Sequence, residues 1–226
     1  MNIYTIIPAR GGSKGITKKN IRLLKGKPLI DYSINYSLRS KLVKRTIVST
    51  DSEEIAAIAL KSNAEIPFIR PKYLAQDLTP DFPVFKHALF ELEKIYNEKI
   101  DLLILLRPTS PNRPKGLIEI GVKKMIDNQK ASSLRSVALS KEHPYRQWFQ
   151  EGEYIKGFTK NIKEPFNIPR QIIPKSYFQT GDIEIIRRST ILKGSISGEN
   201  VLPLIIKHSQ ILDIDSEKDW KNAEKS

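Results

Sequence analysis

The stretch "IIPARGGSKGITKKN", residues 6–20, ends a short β-rich run, "NIYTII" (residues 2–7). It then opens a turn that carries Gly11, Gly12 and Gly15 among Arg10, Lys14, Lys18 and Lys19. A strand followed by a glycine-rich cationic turn is an arrangement that cradles phosphate. The glycines let backbone N–H groups approach the anion, and the lysines supply point charges. Two common versions can be tested directly. The Walker pattern needs G-x-x-x-x-G-K-[ST], and the dinucleotide fingerprint needs G-x-G-x-x-G with an acid about twenty residues on. "GGSKGITKK" provides neither. The expectation is a phosphate cradle of another kind, the alternative being a surface loop with incidental lysines. Arg10 falls at the carboxyl end of the first strand, where open α/β sheets bind ligands.

Beyond the loop, strands and helices alternate. "PLIDYSINYSL" (residues 28–38) starts with a helix-favouring proline and spaces Ile30, Ile34 and Leu38 four apart. "RTIVST" reads as a second strand, and "DSEEIAAIALKS" as a helix capped by Asp51 or Ser52 with acids in its first turn. "EIPFI" reads as a third, short strand. An apolar stripe from Val84 to Tyr96 predicts a helix, and "DLLILL" (residues 101–106) is apolar throughout, as a strand covered on both faces should be. Another helix follows over residues 117–126. Up to about residue 139 the order is β-α-β-α-β-α-β-α-β, which predicts a doubly wound, mostly parallel, Rossmann-like α/β sheet. The aromatic- and proline-rich stretch over about 141–179, with a hairpin turn at "QEGEY", reads as an excursion from one domain of residues 1–226. So short a piece rarely holds a core alone. "DIEIIRR" and "NVLPLIIK" restore regular structure, and "SEKDWKNAEKS" closes as a polar helix.

Composition narrows the classes. A net charge of +13 points to an anionic partner such as nucleic acid, a polyphosphate nucleotide or an acidic membrane surface. Much of the lysine also fits an ordinary solvated surface. With no cysteine, disulfides and thiolate chemistry are excluded. No apolar run approaches the roughly 20 residues that span a bilayer, and the opening "MNIYTIIPAR" lacks the features of a signal peptide. The expectation is a cytoplasmic protein without a membrane partner. "DID" sets Asp213 and Asp215 on one edge of an extended segment. Two hard oxygen ligands suit Mg²⁺; an acidic turn before the last helix, capped by Asp215 or Ser216, fits the same residues.

"IIPARGGSKGITKKNI" closely resembles the signature of the acylneuraminate cytidylyltransferases, which make CMP-activated keto sugar acids from CTP. The resemblance continues in order through "VSTDSEEIA", "FIRPKYLAQD", "HAL", "LLRPTSPNR", "HPY", "PRQ" and "DIDSEKDW", over nearly the whole chain. It implies a Rossmann-like sheet of the nucleotide-diphospho-sugar transferase type with a β-rich excursion used for homodimerisation. The implied partners are CTP and a nonulosonic 2-keto sugar acid, with no nucleic acid. By resemblance, Arg10, Ser13, Lys14 and Lys19 bind the triphosphate, with Lys14 best placed for charge developing at the α-phosphate. Asn20 and Arg70 match positions that read the base and its surroundings, and Asp81 stands where many relatives carry a ribose-contacting serine. Asp213 and Asp215 are implied to hold Mg²⁺, which makes Arg10, Lys14 and Asp215 the catalytic set. Arg107, Arg170, Gln171 and Thr180 fall on the sugar side, where Arg170 can engage a carboxylate bidentately. His143 has a possible site role and an equally good structural one.

Two blocks depart from the family pattern. Arg107 replaces the glutamine of L-L-Q-P-T-S-P, and "TGDIE" replaces N-G-A-I-Y, which changes an asparagine to Thr180 and adds Asp182 and Glu184. The nucleotide half is therefore ordinary and the sugar half is not. Alternatives are a cytidylyltransferase for the eight-carbon acid Kdo and a non-catalytic nucleotide-binding protein. A nucleic-acid binder lacks a helix-turn-helix, zinc-knuckle or aromatic-interleaved basic signature here.

Overall fold

The computed structural model describes residues 1–225. Strand β1 (Ile3–Pro8) lies within the sheet between β4 (Arg45–Ser49) and β5 (Leu102–Leu105), both parallel to it. The loop after β1 runs into a tight hairpin, β2 (Leu23–Leu24) and β3 (Lys27–Pro28). Its two turn residues, Lys25 and Gly26, both have positive φ, the geometry that suits strand twist in two-residue hairpins. Strands β6 (Ser133–Leu139) and β10 (Val201–Ile205) run parallel to each other. Between β5 and β6 lies β9 (Tyr177–Arg187), antiparallel to both. The six-stranded order is β10-β6-β9-β5-β1-β4.

Helices cover both faces because the central strands are apolar on both. Helices α1 (Leu29–Leu38), α2 (Glu53–Lys61) and α4 (Leu117–Asp127) bury Ile30, Ile34, Ile55, Val122 and Met125 against Ile7, Val48, Leu102 and Ile104. On the other face, α3 (Asp81–Tyr96) and α5 (Arg188–Leu192) bury Phe85, Leu89, Leu92 and Ile191 against Tyr4, Ile6, Ile47 and Leu103. The alternation of Ile3 and Ile7 with Tyr4 and Ile6 divides β1 between these two cores. Each fully buried side chain of this size contributes about 1.5–3 kcal/mol. Helix α6 (Glu217–Lys225) belongs to a third cluster, in which Trp220 and Ala223 pack on Ile16, Leu24, Leu29 and Ile214. The first loop is thereby pinned from within by Ile16.

The expected doubly wound, mostly parallel sheet is present; two details differ from the sequence reading, and the choice between Asp51 and Ser52 as cap is decided. "EIPFI" forms no strand: Glu65 alone bridges Ile47, because Pro67 has no N–H with which to continue a ladder. The N-cap of α2 is Ser52, which accepts from the Ile55 N–H, and Asp51 instead accepts the Gly11 N–H at 2.9 Å. Strand β6 does not sit beside β5, since β9 returns between them.

The excursion is the long connection of that β6/β9 pair. It carries a hairpin, β7 (Trp148–Glu151) and β8 (Tyr154–Gly157), turning at Gly152 as the "QEGEY" pattern predicts. Trp148 stacks on Phe166 at 4.3 Å between ring centroids. His143 accepts the Tyr145 N–H at its Nδ1 and sets its Nε2 2.8 Å from the Pro174 carbonyl, so it ties the two ends of the excursion together. Tyr154, Phe158 and Ile172 remain exposed. Among the described residues, no helix is long and apolar enough to cross a membrane.

Candidate active site

After β1 the chain crosses to β4 on one side and returns through β5 on the other. That reversal opens a crevice at the carboxyl ends of β1 and β5, where open α/β sheets take ligands. A cleft of about 630 Å³ lies there. Arg10, Ser13, Lys14, Lys19, Asn20, Arg70, Asp81, Arg107, Thr180, Asp213 and Asp215 all line it. Arg170 and Gln171 do not: they are exposed on the excursion.

The first loop forms one wall. Its fold depends on a close approach, since a Cβ on Gly15 would lie 2.6 Å from the Asp215 carbonyl. Lys19, only 15% exposed, locks the same contact by donating from Nζ to the Ile214 carbonyl (3.0 Å) and to Asp215 Oδ1 (2.8 Å). Asn20 is buried and donates its amide to the Arg10 carbonyl at 3.0 Å, which closes the loop on itself. Lys18 pairs instead with Glu54 and is absent from the cleft lining. Of the loop's four cations, therefore, three face the cleft.

Arg70 comes from the segment after Glu65 and is held by its own N–H to the Thr50 carbonyl. It is 4% exposed, and its Nε and Nη2 have no hydrogen-bond partner. Burial pulls its pKa down; Asp51 opposes this and the Arg10 charge reinforces it. A buried guanidinium with unfilled donors is costly. Sequence reasoning overlooked Asp77, which closes the "FIRPKYLAQD" block without chemistry of its own. Its carboxylate pairs with both Arg10 (2.5 Å) and Lys14, and these two contacts hold it below the usual carboxylate range.

The paired aspartates lie directly against the first loop. Ile214 is fully buried and donates its N–H to the Thr109 carbonyl, so Asp213 and Asp215 turn together toward the cleft. Partial burial of its carboxyl pushes Asp213 up; the Thr109 hydroxyl opposes this, and the Asp215 carboxylate adds to it. Two like charges so placed favour a bound cation. Among the described residues no group of three or more His, Cys, Asp or Glu could hold a metal. The two carboxylates fit Mg²⁺, which usually takes one or two protein carboxylates and fills its octahedron with phosphate oxygens and waters. The acidic turn exists as well: Ser216 accepts the Asp219 N–H while Asp219 accepts the Ser216 N–H, a capping box that starts α6.

The far end of the cleft is shaped by an irregularity in β9. Between the pairs Val137↔Gln179 and Arg135↔Glu184, β9 advances five residues while β6 advances two. The excess, turning at Gly181 with φ +77°, carries Gln179, Thr180 and Gly181 into the lining. Ser136 Oγ accepts the Ile183 N–H that the shifted ladder leaves free. Behind this wall, buried Arg113 donates to the Asp182 and Arg107 carbonyls at 2.6 and 2.5 Å and to Ser33 Oγ at 3.0 Å. Burial pulls its pKa down to about 10, with the Asp182 charge opposing. Arg107 itself pairs with Asp81 at 2.5 Å and Glu184 at 3.1 Å, and Glu184 also pairs with Arg135. The departures at 81, 107 and 184 are one connected cluster.

A glycine-rich cationic loop with a carboxylate pair beside it, at the switch point of an α/β sheet, fits a nucleotidyltransferase site. A cytidylyltransferase family model matches residues 4–97. The chain is 36% identical to the post-translational flagellin modification protein B of Campylobacter coli, over 98% of this chain and 93% of that one. It is 35% identical to the CMP-N,N'-diacetyllegionaminic acid synthase of Campylobacter jejuni, again over 98% and 93%. The N-acylneuraminate cytidylyltransferase A of Danio rerio is 30% identical over 99% of this chain and 50% of its own. A solved structure of CMP:2-keto-3-deoxy-manno-octonic acid synthetase with CTP superposes with a TM-score of 0.74 at 14% identity, covering 100% of this chain and 98% of that one. The chain belongs to the acylneuraminate cytidylyltransferase family, and the protein is a nucleotidyltransferase enzyme.

Proposed function

We propose that the protein transfers CMP from CTP to the anomeric 2-hydroxyl of a nonulosonic 2-keto sugar acid. In that step the hydroxyl oxygen bonds to the α-phosphorus, the bond to the β-phosphate oxygen breaks, and pyrophosphate leaves. The observation that carries the reading is the Lys19–Asp215 contact, which joins the first loop to the paired aspartates at the lining of one cleft. Relatives named for legionaminic, pseudaminic and acylneuraminic acids support the substrate class.

The residues have distinct tasks. Arg10, Ser13, Lys14 and Lys19 bind the triphosphate and neutralise its charge, with Lys14 nearest the developing negative charge at the α-phosphate. Arg70 and Asn20 address the base and its surroundings, and Asp81 the ribose. Asp213 and Asp215 would hold Mg²⁺, which supplies charge neutralisation and orientation of the phosphates. Positioning and charge neutralisation are most of what such a transfer needs. The exposed aromatics of the excursion support a C₂ homodimer in which Arg170 and Gln171 reach the partner's sugar pocket. A cytoplasmic location belongs to the same proposal, since the nucleotide it would consume, CTP, is found there.

The test is pyrophosphate release from each nucleoside triphosphate against N,N'-diacetyllegionaminate, pseudaminate, N-acetylneuraminate and Kdo. Turnover confined to CTP with a nonulosonate is expected. Preference for Kdo transfers the enzyme to the eight-carbon class, equal use of UTP refutes the base assignment, and no turnover at all refutes the reading. A fully active monomer by light scattering refutes the dimer.

A further inference from the structure

Glu184 is the least expected charge in the molecule. It lies on β9, 1% exposed, between β5 and β6 in the middle of the sheet. A carboxylate there costs several kcal/mol unless paired and hydrogen-bonded, so its partners are informative. Its Oε1 accepts from Arg107 Nη2 (3.1 Å) and Gln179 Nε2 (2.9 Å), and its Oε2 lies 3.1 Å from Arg135 Nη2. Arg135 is anchored in turn on Gln179 Oε1 and on Ser197 Oγ. Glu184, Gln179 and Arg135 form a closed ring, and among the described residues it meets the cleft lining through Gln179 itself and through Arg107 on Glu184.

Arg107 is gripped at one nitrogen from two sides, since Nη2 donates to both Asp81 and Glu184. Its side chain is still 29% exposed on the cleft wall, so the rest of the guanidinium is available. Two arginines and two acids leave the cluster with no net charge. That sets it apart from the loop side, where Arg10 and Lys14 share the single carboxylate of Asp77. A guanidinium already balanced by carboxylates attracts a further carboxylate weakly, but it still presents directed N–H donors to a neutral oxygen.

We propose that Glu184 is a positioning residue that aims Arg107 at an uncharged oxygen of the sugar acid, an acyl carbonyl or a hydroxyl, and so selects among sugar acids. This rests on the functional reading above. The negative charge of the sugar acid is then left to other groups.

A double-mutant cycle at saturating CTP tests it, with N,N'-diacetyllegionaminate as the probe and Kdo as a comparison whose name carries no acylamino group. Glu184→Gln is expected to raise KM for the diacetyl acid about tenfold, the size of one misdirected hydrogen bond. KM for CTP should stay within about twofold. In the Arg107→Gln background the same substitution should change the sugar KM less than about twofold, because its route is already cut. An additive cycle, or a CTP KM that moves with the sugar KM, overturns the proposal. If Glu184→Gln does not fold, Glu184→Asp keeps the charge, shortens its reach and serves the same cycle. Ionic strength separates the two oxygen classes. The ratio of sugar KM between Arg107→Gln and wild type should stay constant with salt, whereas a ratio that shrinks puts the sugar carboxylate on Arg107. Wild type inactive with every acid in the panel sinks the functional reading and this inference with it; activity with an additive cycle sinks only the inference.

Discussion

The two ends of the cleft solve opposite electrostatic problems. At the loop end, cations are gathered without enough anions to satisfy them: Arg70 is buried with two unfilled nitrogens, and Arg10 and Lys14 share the single carboxylate of Asp77. At the far end the cations on the cleft wall are already paired within the protein, Arg107 with Asp81 and Glu184 and Arg135 with Glu184. The buried Asp182 carboxylate behind them has no hydrogen-bond partner. A site that is incomplete until a polyanion arrives binds through charge. A site that is complete beforehand can only discriminate through shape and directed donors. The first end is built mainly from one short segment and the second from four distant ones, so the two ends sit on separable parts of the chain.

The sharpest way to break this contrast is at the aspartates. Asp215→Asn keeps the shape and removes one charge. Turnover should fall roughly a hundredfold or more, with the fold intact by circular dichroism and CTP binding without metal unchanged or tighter. Normal turnover in the variant, or full wild-type activity in EDTA, returns Asp213 and Asp215 to the capping turn. Arg70 carries the next largest effect, and it has two signs. Arg70→Met should weaken CTP binding about tenfold or more. It should also raise the melting temperature of the free enzyme by roughly 2–8 °C, since a buried guanidinium with unfilled donors is removed. A variant less stable than wild type would mean that Arg70 serves the fold.

Asp77 sharpens the comparison from the other side. Its carboxylate occupies the cations that the triphosphate needs, so Asp77→Asn should tighten metal-free CTP binding by roughly two- to fivefold in calorimetry. Because Lys14 and Arg10 depress its pKa, Asp77 stays ionised at neutral pH. The difference from wild type should vanish only as pH falls through that depressed value. Weaker binding would make Asp77 a ligand rather than a counter-ion. The smallest effect lies at the α6 cap. Asp219→Ala should cost about 1 kcal/mol of stability, read from urea midpoints. The Ser216 hydroxyl and N–H hold the Asp219 carboxyl below its ordinary value, so its contribution is present above about pH 4 and is lost as pH falls through the folded pKa.

How much of this could be read beforehand depends on how local each signal is. The loop cations, the glycines and the D-x-D pair were legible because each is a residue type at a fixed short spacing, with its chemistry in its own side chain, whereas Arg70 was reached only through the family resemblance. Asp77 was not: an acid at the end of a loop gains its meaning only from Arg10 and Lys14 across space. Arg113 was quoted within a block yet has no visible role until Ser33, Arg107 and Asp182 are seen around it. Arg107 and Glu184 were visible as oddities, but their pairing was not.

The sequence by itself determined the strands β1, β4 and β5, the helices between them, the glycine-rich cationic loop after β1 and the family. Periodicity and turn chemistry act over a few residues, and those parts are made of such stretches. Only the tertiary structure decided that β9 returns antiparallel between β5 and β6, that its register slips at Thr180–Gly181, and that Glu184 therefore lands behind Arg107. Strand partners are chosen by which apolar faces remain to be covered once the chain has collapsed. A pairing across the whole excursion leaves no trace in local spacing, and neither does the close approach of Gly15 to Asp215 that joins the two ends of the chain in one site.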